Sequence, residues 1–153
     1  MKIIPIFLTL FLPLISYAVS NEEAILIADK IWKNECAGKM EGLTHWGEGE
    51  GFGSFGIGHF IWYSKGKEER FEETFPLLLD FLLKNKATIP AWLEKKPACP
   101  WASKEIFYQN INSSEMNSLR QMLFDTRGLQ ALFIVKRFEK FRGRLVVNWQ
   151  RGT

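Results

Sequence analysis

The sequence predicts a mainly helical α+β chain, a single helical domain with a small glycine-rich β-hairpin or loop near its start. Three observations predict it. A length of 153 residues suits one domain. Apolar residues recur at helical spacing near the N-terminus and again through the second half. Eight of the twelve glycines crowd between Gly38 and Gly58, a density no regular helix survives. The length excludes a two-domain enzyme, a repeat array and a multi-pass membrane protein. With 46% hydrophobic and 24% charged residues, disorder is excluded as well.

The chain opens with Met1–Lys2, an apolar run from Ile3 to Ile15, and Ser16-Tyr17-Ala18 as a small-x-small cleavage site. Residues 1–18 thus read as a secretory signal, too short and too poorly flanked for a stable membrane span. Its removal leaves 135 residues, with a domain expected over 19–153. Glu22 to Asn34 carries Ile25, Ala28, Ile31 and Trp32 on one stripe, an amphipathic helix that Asn21 can cap and whose first turn suits Glu22 and Glu23. Residues 36–58 are loop with at most a short hairpin. Phe55 to Tyr63 fits either a strand or a helix start, and Ser64 to Lys67 a turn. Thr74-Phe75-Pro76 opens a helix whose Leu77, Leu78, Leu79, Phe81, Leu82 and Leu83 are apolar nearly all round, so it is expected to be buried. Ile89 to Leu93 is a short helical turn. Ser103 caps a segment through Tyr108, and Asn112-Ser113-Ser114-Glu115 has capping-box spacing for a helix to about Phe124. Thr126 starts a last helix through about Phe141, with Leu129, Leu132, Phe133, Phe138 and Phe141 as expected core.

Cys36 and Cys99 are the two cysteines. In an oxidising compartment one disulfide is the economical expectation, and two separate buried thiols are the alternative. From Arg120 onward eight basic residues stand against Asp125 and Glu139, a charge of +6, whereas residues 19–119 sum to −4. Such a basic end suits an anionic surface, cell wall or lipid headgroups, or simply a solvated helix face. Nucleic acid does not fit behind a secretory signal.

Gly51-Phe52-Gly53-Ser54-Phe55-Gly56 matches G-x-G-x-x-G. A dinucleotide site needs a buried strand before that motif and a helix after it. Here Gly47-Glu48-Gly49-Glu50 precedes it, which rejects the nucleotide reading. Glu35 offers another chemistry. The end of a helix carries partial negative charge and favours the protonated form of a carboxylate, which a glycosidic leaving oxygen requires. The glycines that follow let backbone approach a bulky sugar chain. Glu48 and Glu50 supply second carboxylates. Trp46, Phe60, Trp62 and Tyr63 offer flat faces for pyranose rings.

Ser54-Phe55-Gly56-Ile57-Gly58-His59 resembles the Thr-x-Gly-Ile-Gly-His segment of phage-type lysozymes. In that family a Glu after the first helix is followed by an Asp or Cys, five residues, then Thr. Glu48 stands at the second-acid position of this pattern and Ser54 at the Thr position. Glu35-Cys36-Ala37-Gly38 is similar to the Glu-Ser-Gly-Gly start of lytic transglycosylases and goose-type lysozymes. The phage spacing puts the first acid at Lys39, so Glu35 needs a longer spacer and Glu41, within Glu41-Gly42-Leu43, a shorter one. The resemblance spans roughly residues 22–59. It implies a lysozyme-like fold with the hairpin flanking an active cleft. It also implies an exported, secreted or periplasmic enzyme that cuts the β-1,4 bond between N-acetylmuramic acid and N-acetylglucosamine in peptidoglycan glycan strands. Glu35 would be the acid, with Glu41 as rival. Glu48 or Glu50 would be the stabilising carboxylate, Ser54 would position water, and His59 would be structural. Trp46, Gly56, Trp62 and Tyr63 would line the substrate site. Neither hydrolysis nor the lytic transglycosylase reaction needs a metal or cofactor. His45, His59 and Glu48 lack zinc-type spacing. A catalytically silent glycan-binding module, or an envelope interaction protein, is the alternative. Val146 to Thr153 ends on an apolar run barely finished, which reads as a shortened form of a longer chain.

Overall fold

The computed structural model describes residues 20–67, 70–95 and 97–151, with backbone alone for Asn21 and residues 142–151. The expected signal, residues 1–18, lies outside them, as do Gly152 and Thr153. Helix α1 (Asn21–Glu35) is started by Ser20 rather than Asn21. The Ser20 hydroxyl accepts from the Glu23 N–H, and the Glu23 carboxylate accepts from the Ser20 N–H, a full capping box. The glycine-rich excursion is more ordered than a loop. A 3₁₀ turn (Met40–Leu43) leads into β1 (Thr44–His45), β2 (Phe52–Phe55) and β3 (Phe60–Tyr63). These form one antiparallel sheet in that order, with His45 opposite Ser54 and Ser54 opposite Ile61. The stretch read as strand or helix start is therefore a strand with its turn, as its β-branched and aromatic content favours.

Helices α2 (Phe75–Lys84), α3 (Ala91–Glu94), α4 (Lys104–Gln109), α5 (Ser114–Asp125) and α6 (Arg127–Arg151) follow. Ser103 and Ser113 cap α4 and α5, each accepting a backbone N–H three residues on. Only one face of α2 is buried, through Phe75, Leu78, Leu79 and Leu82; Leu77 and Leu83 are exposed. The expected core positions Phe138 and Phe141 are exposed too, because α6 runs on past the elements that cover its first half.

The core centres on rings from the sheet and its neighbours. Trp62 stacks on Phe75 at 4.5 Å between centroids. Trp62, Trp92 and Trp101 all lie within 6.5 Å of one another, with Phe55 against both Trp62 and Trp101. This cluster fastens β2 and β3 to α2 and to the segment around Trp101.

The expected disulfide is not formed: Cys36 and Cys99 are free and buried. Cys36 follows α1, which abuts the turn before β1, whereas the Cys99 N–H bonds the Tyr63 carbonyl beside β3 (2.9 Å). They occupy opposite edges of a three-stranded sheet, about 10 Å or more apart, beyond the reach of a disulfide. Burial pushes the Cys99 thiol up to about 12, so its reactive thiolate is scarce at neutral pH. Unreduced protein is expected to resist alkylation near pH 8 when native and to yield two free thiols once denatured, counted by mass spectrometry. One or no free thiol in the denatured sample would contradict the arrangement.

Candidate functional site

Two segments meet where α1 ends. Glu35 is its last residue and is exposed. The Cys36 N–H donates to the Trp32 carbonyl at 2.9 Å. Ala37 and Gly38 then take positive φ, 51° and 65°, and the chain reverses at once. The reversal brings the 3₁₀ turn against the helix end. A Cβ on Gly42 would stand 2.7 Å from the Cys36 carbonyl oxygen and 2.8 Å from its Cα, backbone atoms that cannot swing aside. Gly42→Ala is expected to cost about 2 kcal/mol, read as a fall of roughly 4–8 °C in the thermal midpoint. An unchanged midpoint would show that the contact is not tight. Each contacting residue directly follows a glutamate, so the rival acids Glu35 and Glu41 stand on adjoining segments.

Arg120 of α5 backs this junction and was not singled out in the sequence. It is 6% exposed. Its Nε donates to Thr44 Oγ1 (2.9 Å) and its Nη1 to the Ile111 carbonyl (2.8 Å). Its Nη2 is buried without a hydrogen-bond partner among the described residues. Burial lowers the guanidinium's pKa, and the charge of Glu41 opposes that shift. The legible signal was a basic residue set among Met116, Leu119 and Leu123, the core stripe of α5.

From the junction, the sheet runs towards the other expected acids. The Gly56 N–H donates to the Leu43 carbonyl (2.8 Å), then Thr44 pairs with Phe55 and His45 with Ser54. Ser54 is buried in the central strand. Past His45 comes the loop holding Glu48 and Glu50. The Glu48 side chain is 93% exposed and pairs with Lys104 at the start of α4, which raises the pKa of that ammonium. Glu50 instead closes its own loop: its carboxylate accepts from the Gly47 N–H (3.0 Å) and its carbonyl from the Trp46 indole (2.7 Å). Glu48, Lys67, Ser103, Lys104 and Glu105 line an open cleft of about 350 Å³ here. Glu35 thus lies by the turn that precedes the two-residue β1 and Glu48 in the loop that follows it, where Lys104 engages it.

Gly56 has φ +71° and begins the β2–β3 turn. The Ile57 N–H in that turn donates to Gln130 Oε1 of α6 (3.0 Å), and Gln130 Nε2 donates to the Leu123 carbonyl and Thr126 Oγ1 (2.6 and 3.0 Å). Gln130 is fully buried, and a Cβ on Gly56 would collide with its Oε1. His59 ends the turn, exposed, with φ 49°.

Trp46, Trp62 and Tyr63 are not the surface platforms that their sequence suggested. All three are buried, because the hairpin is inserted among α2, α4 and the segment before Trp101. The Trp62 indole donates to the Pro97 carbonyl (3.1 Å), and the Tyr63 hydroxyl to the Phe71 carbonyl (3.3 Å). Phe60 is buried against Phe133. Exposed rings near the sheet are instead Phe71 and Tyr108. Tyr108 donates to the Trp46 carbonyl (3.3 Å) and lies 3.5 Å from His45 Nδ1.

Among the described residues no group of three or more His, Cys, Asp or Glu gathers to hold a metal ion. No described helix is long and apolar enough to cross a membrane. No protein-family model, curated protein or solved structure matches the chain.

Proposed function

We propose that the chain is an exported enzyme of the lysozyme-like superfamily that cleaves peptidoglycan glycan strands between N-acetylmuramic acid and N-acetylglucosamine. One observation carries the reading. A glutamate ends the first helix, against the 3₁₀ turn that leads into a small antiparallel sheet whose tight turn is built from Gly56-Ile57-Gly58-His59. Glu35 is the acid that protonates the leaving oxygen. Glu48 is engaged by Lys104, and this favours the single-acid route over hydrolysis by a carboxylate pair. In that route the 6-hydroxyl oxygen of the muramyl residue bonds to its own C1 as the C1–O4 bond breaks. Glu35 gives its proton to O4 and takes one from the 6-hydroxyl, so it is restored at the end of the cycle. Ser54, Gly56, Trp46, Trp62 and Tyr63 shape and stiffen the sheet beside the acid.

The alternative, a silent glycan-binding module, draws on the same engagement of Glu48 by Lys104. Incubation with purified peptidoglycan, followed by mass spectrometry of the soluble fraction, separates the readings. Anhydro-ended muropeptides support the proposal, and reducing ends would point to hydrolysis. Sedimentation with the wall without released fragments would favour the silent module. A protein that neither cuts nor binds the wall would overturn both.

A further inference from the structure

We propose that the C-terminal half of α6 lies on the surface of an anionic lipid bilayer. The inference is independent of the activity proposed above. The first half of α6 is covered. Arg127 pairs with Asp29 of α1, Gln130 holds the β2–β3 turn, and Phe133 packs on Phe60 and Phe81. Lys136 lies over the Phe81 ring, and Arg137 pairs with Glu72. The helix then continues to Arg151.

Phe138 and Phe141 follow, 67% and 61% exposed. Two helical turns back from them are Ala131, which is buried, and Ile134, which packs on the core. Ala131, Ile134, Phe138 and Phe141 thus form one stripe. The body covers its first half and leaves the two rings of its second half open. Lys136 and Lys140 lie roughly on the opposite side of the helix from Phe138, two residues to either side of it in sequence.

Charge selects the occupant. From Phe138 to Arg151 the sequence holds four basic residues and one acidic, Glu139. A second copy would bring like charge against like. Glycan strands offer no apolar layer to take up phenyl rings. An anionic bilayer offers both an acyl boundary for Phe138 and Phe141 and headgroup phosphates for the basic residues. The helix would lie in the interface rather than cross it, since its charged residues recur too often for an apolar span.

The test is co-sedimentation of the full chain with vesicles of phosphatidylcholine alone or mixed with phosphatidylglycerol. Residues 1–18 carry the positive charges of Lys2 and the α-amino group, which also favour anionic vesicles, so the α6 variants, which keep that segment, isolate the contribution of the helix. Wild type is expected to partition about tenfold or more in favour of the anionic vesicles, and to lose that preference in high salt. Phe138→Asp/Phe141→Asp is expected to lower binding to anionic vesicles about tenfold or more, with an unchanged thermal midpoint because both rings are exposed. Lys140→Glu is expected to lower it severalfold. Equal binding to the two vesicle types by wild type overturns the proposal. So does undiminished anionic binding by both variants. So does wild-type self-association, seen by light scattering, that the double variant abolishes.

Discussion

Glu35→Gln is expected to remove muropeptide release from peptidoglycan, with a fall of about 10²–10⁴-fold. The substitution keeps the side chain's size and hydrogen-bonding reach and deletes only the transferable proton. Glu35 is exposed at the end of α1, so the fold does not depend on its charge, and circular dichroism is expected to match wild type. Glu41→Gln, on the adjoining segment, is expected to retain most of the activity. So is Glu48→Gln, which loses only an exposed pair with Lys104. The three variants rank the acids directly. Loss in Glu41→Gln with retention in Glu35→Gln would move the proton donor to the 3₁₀ turn beside Arg120. Loss in Glu48→Gln would place the chemistry in the loop between β1 and β2.

The second large effect is on stability. Gln130→Leu is expected to lower unfolding free energy by about 3 kcal/mol, measured by urea titration. Leucine fills comparable space, yet the Ile57 N–H, the Leu123 carbonyl and the Thr126 hydroxyl each lose a partner in a fully buried setting. Buried backbone groups left unpaired carry the full desolvation penalty. Three kcal/mol is a large share of a typical domain's 5–15 kcal/mol. Gly56→Ala reaches the same joint from the other side, by crowding Gln130 Oε1 at a φ of +71°. Because both act on one contact, the double variant is expected to lose less than the two single losses added. A Gln130→Leu protein as stable as wild type would mean that the turn does not rely on α6. Since this glutamine anchors the turn of the sheet beside Glu35, the variant is also expected to cleave peptidoglycan poorly.

Local rules made much of the helical framework legible. Ser103 caps the helix that its position marks, Ser113 caps α5 one residue beyond the Asn112 that the box spacing marks, and Pro76 sits in the first turn of α2. These signals are carried within four residues, so chain order alone exposes them. The site was legible only in outline. That Glu35 ends a helix follows from periodicity. That Gly42 touches Cys36 depends on the reversal at Ala37 and Gly38. Arg120 and Gln130 act across 76 and 73 residues, and no local pattern announces such partners. Trp46 and Trp62 misled for a related reason. Trp46 stands amid glycines like a loop aromatic and Trp62 at the end of a short apolar run, and only the packing of α2, α4 and the Trp101 segment around the hairpin makes them core. Phe138 and Phe141 misled in the opposite sense: their spacing is that of a core stripe, but the covering elements stop short.

The three indoles of Trp62, Trp92 and Trp101, held within 6.5 Å of one another, make the protein its own optical gauge. Chromophores so close share excitation. The stacked and edge-on pairs have fixed relative orientations, so the folded chain is expected to show strong near-ultraviolet dichroism and depolarised tryptophan emission. Both signals depend on the rings remaining locked together. They would fade when β3 parts from its neighbours, even while the helices stay intact. The far-ultraviolet spectrum follows the helices and the tryptophan band follows the sheet, so one unlabelled sample records the loosening of each separately.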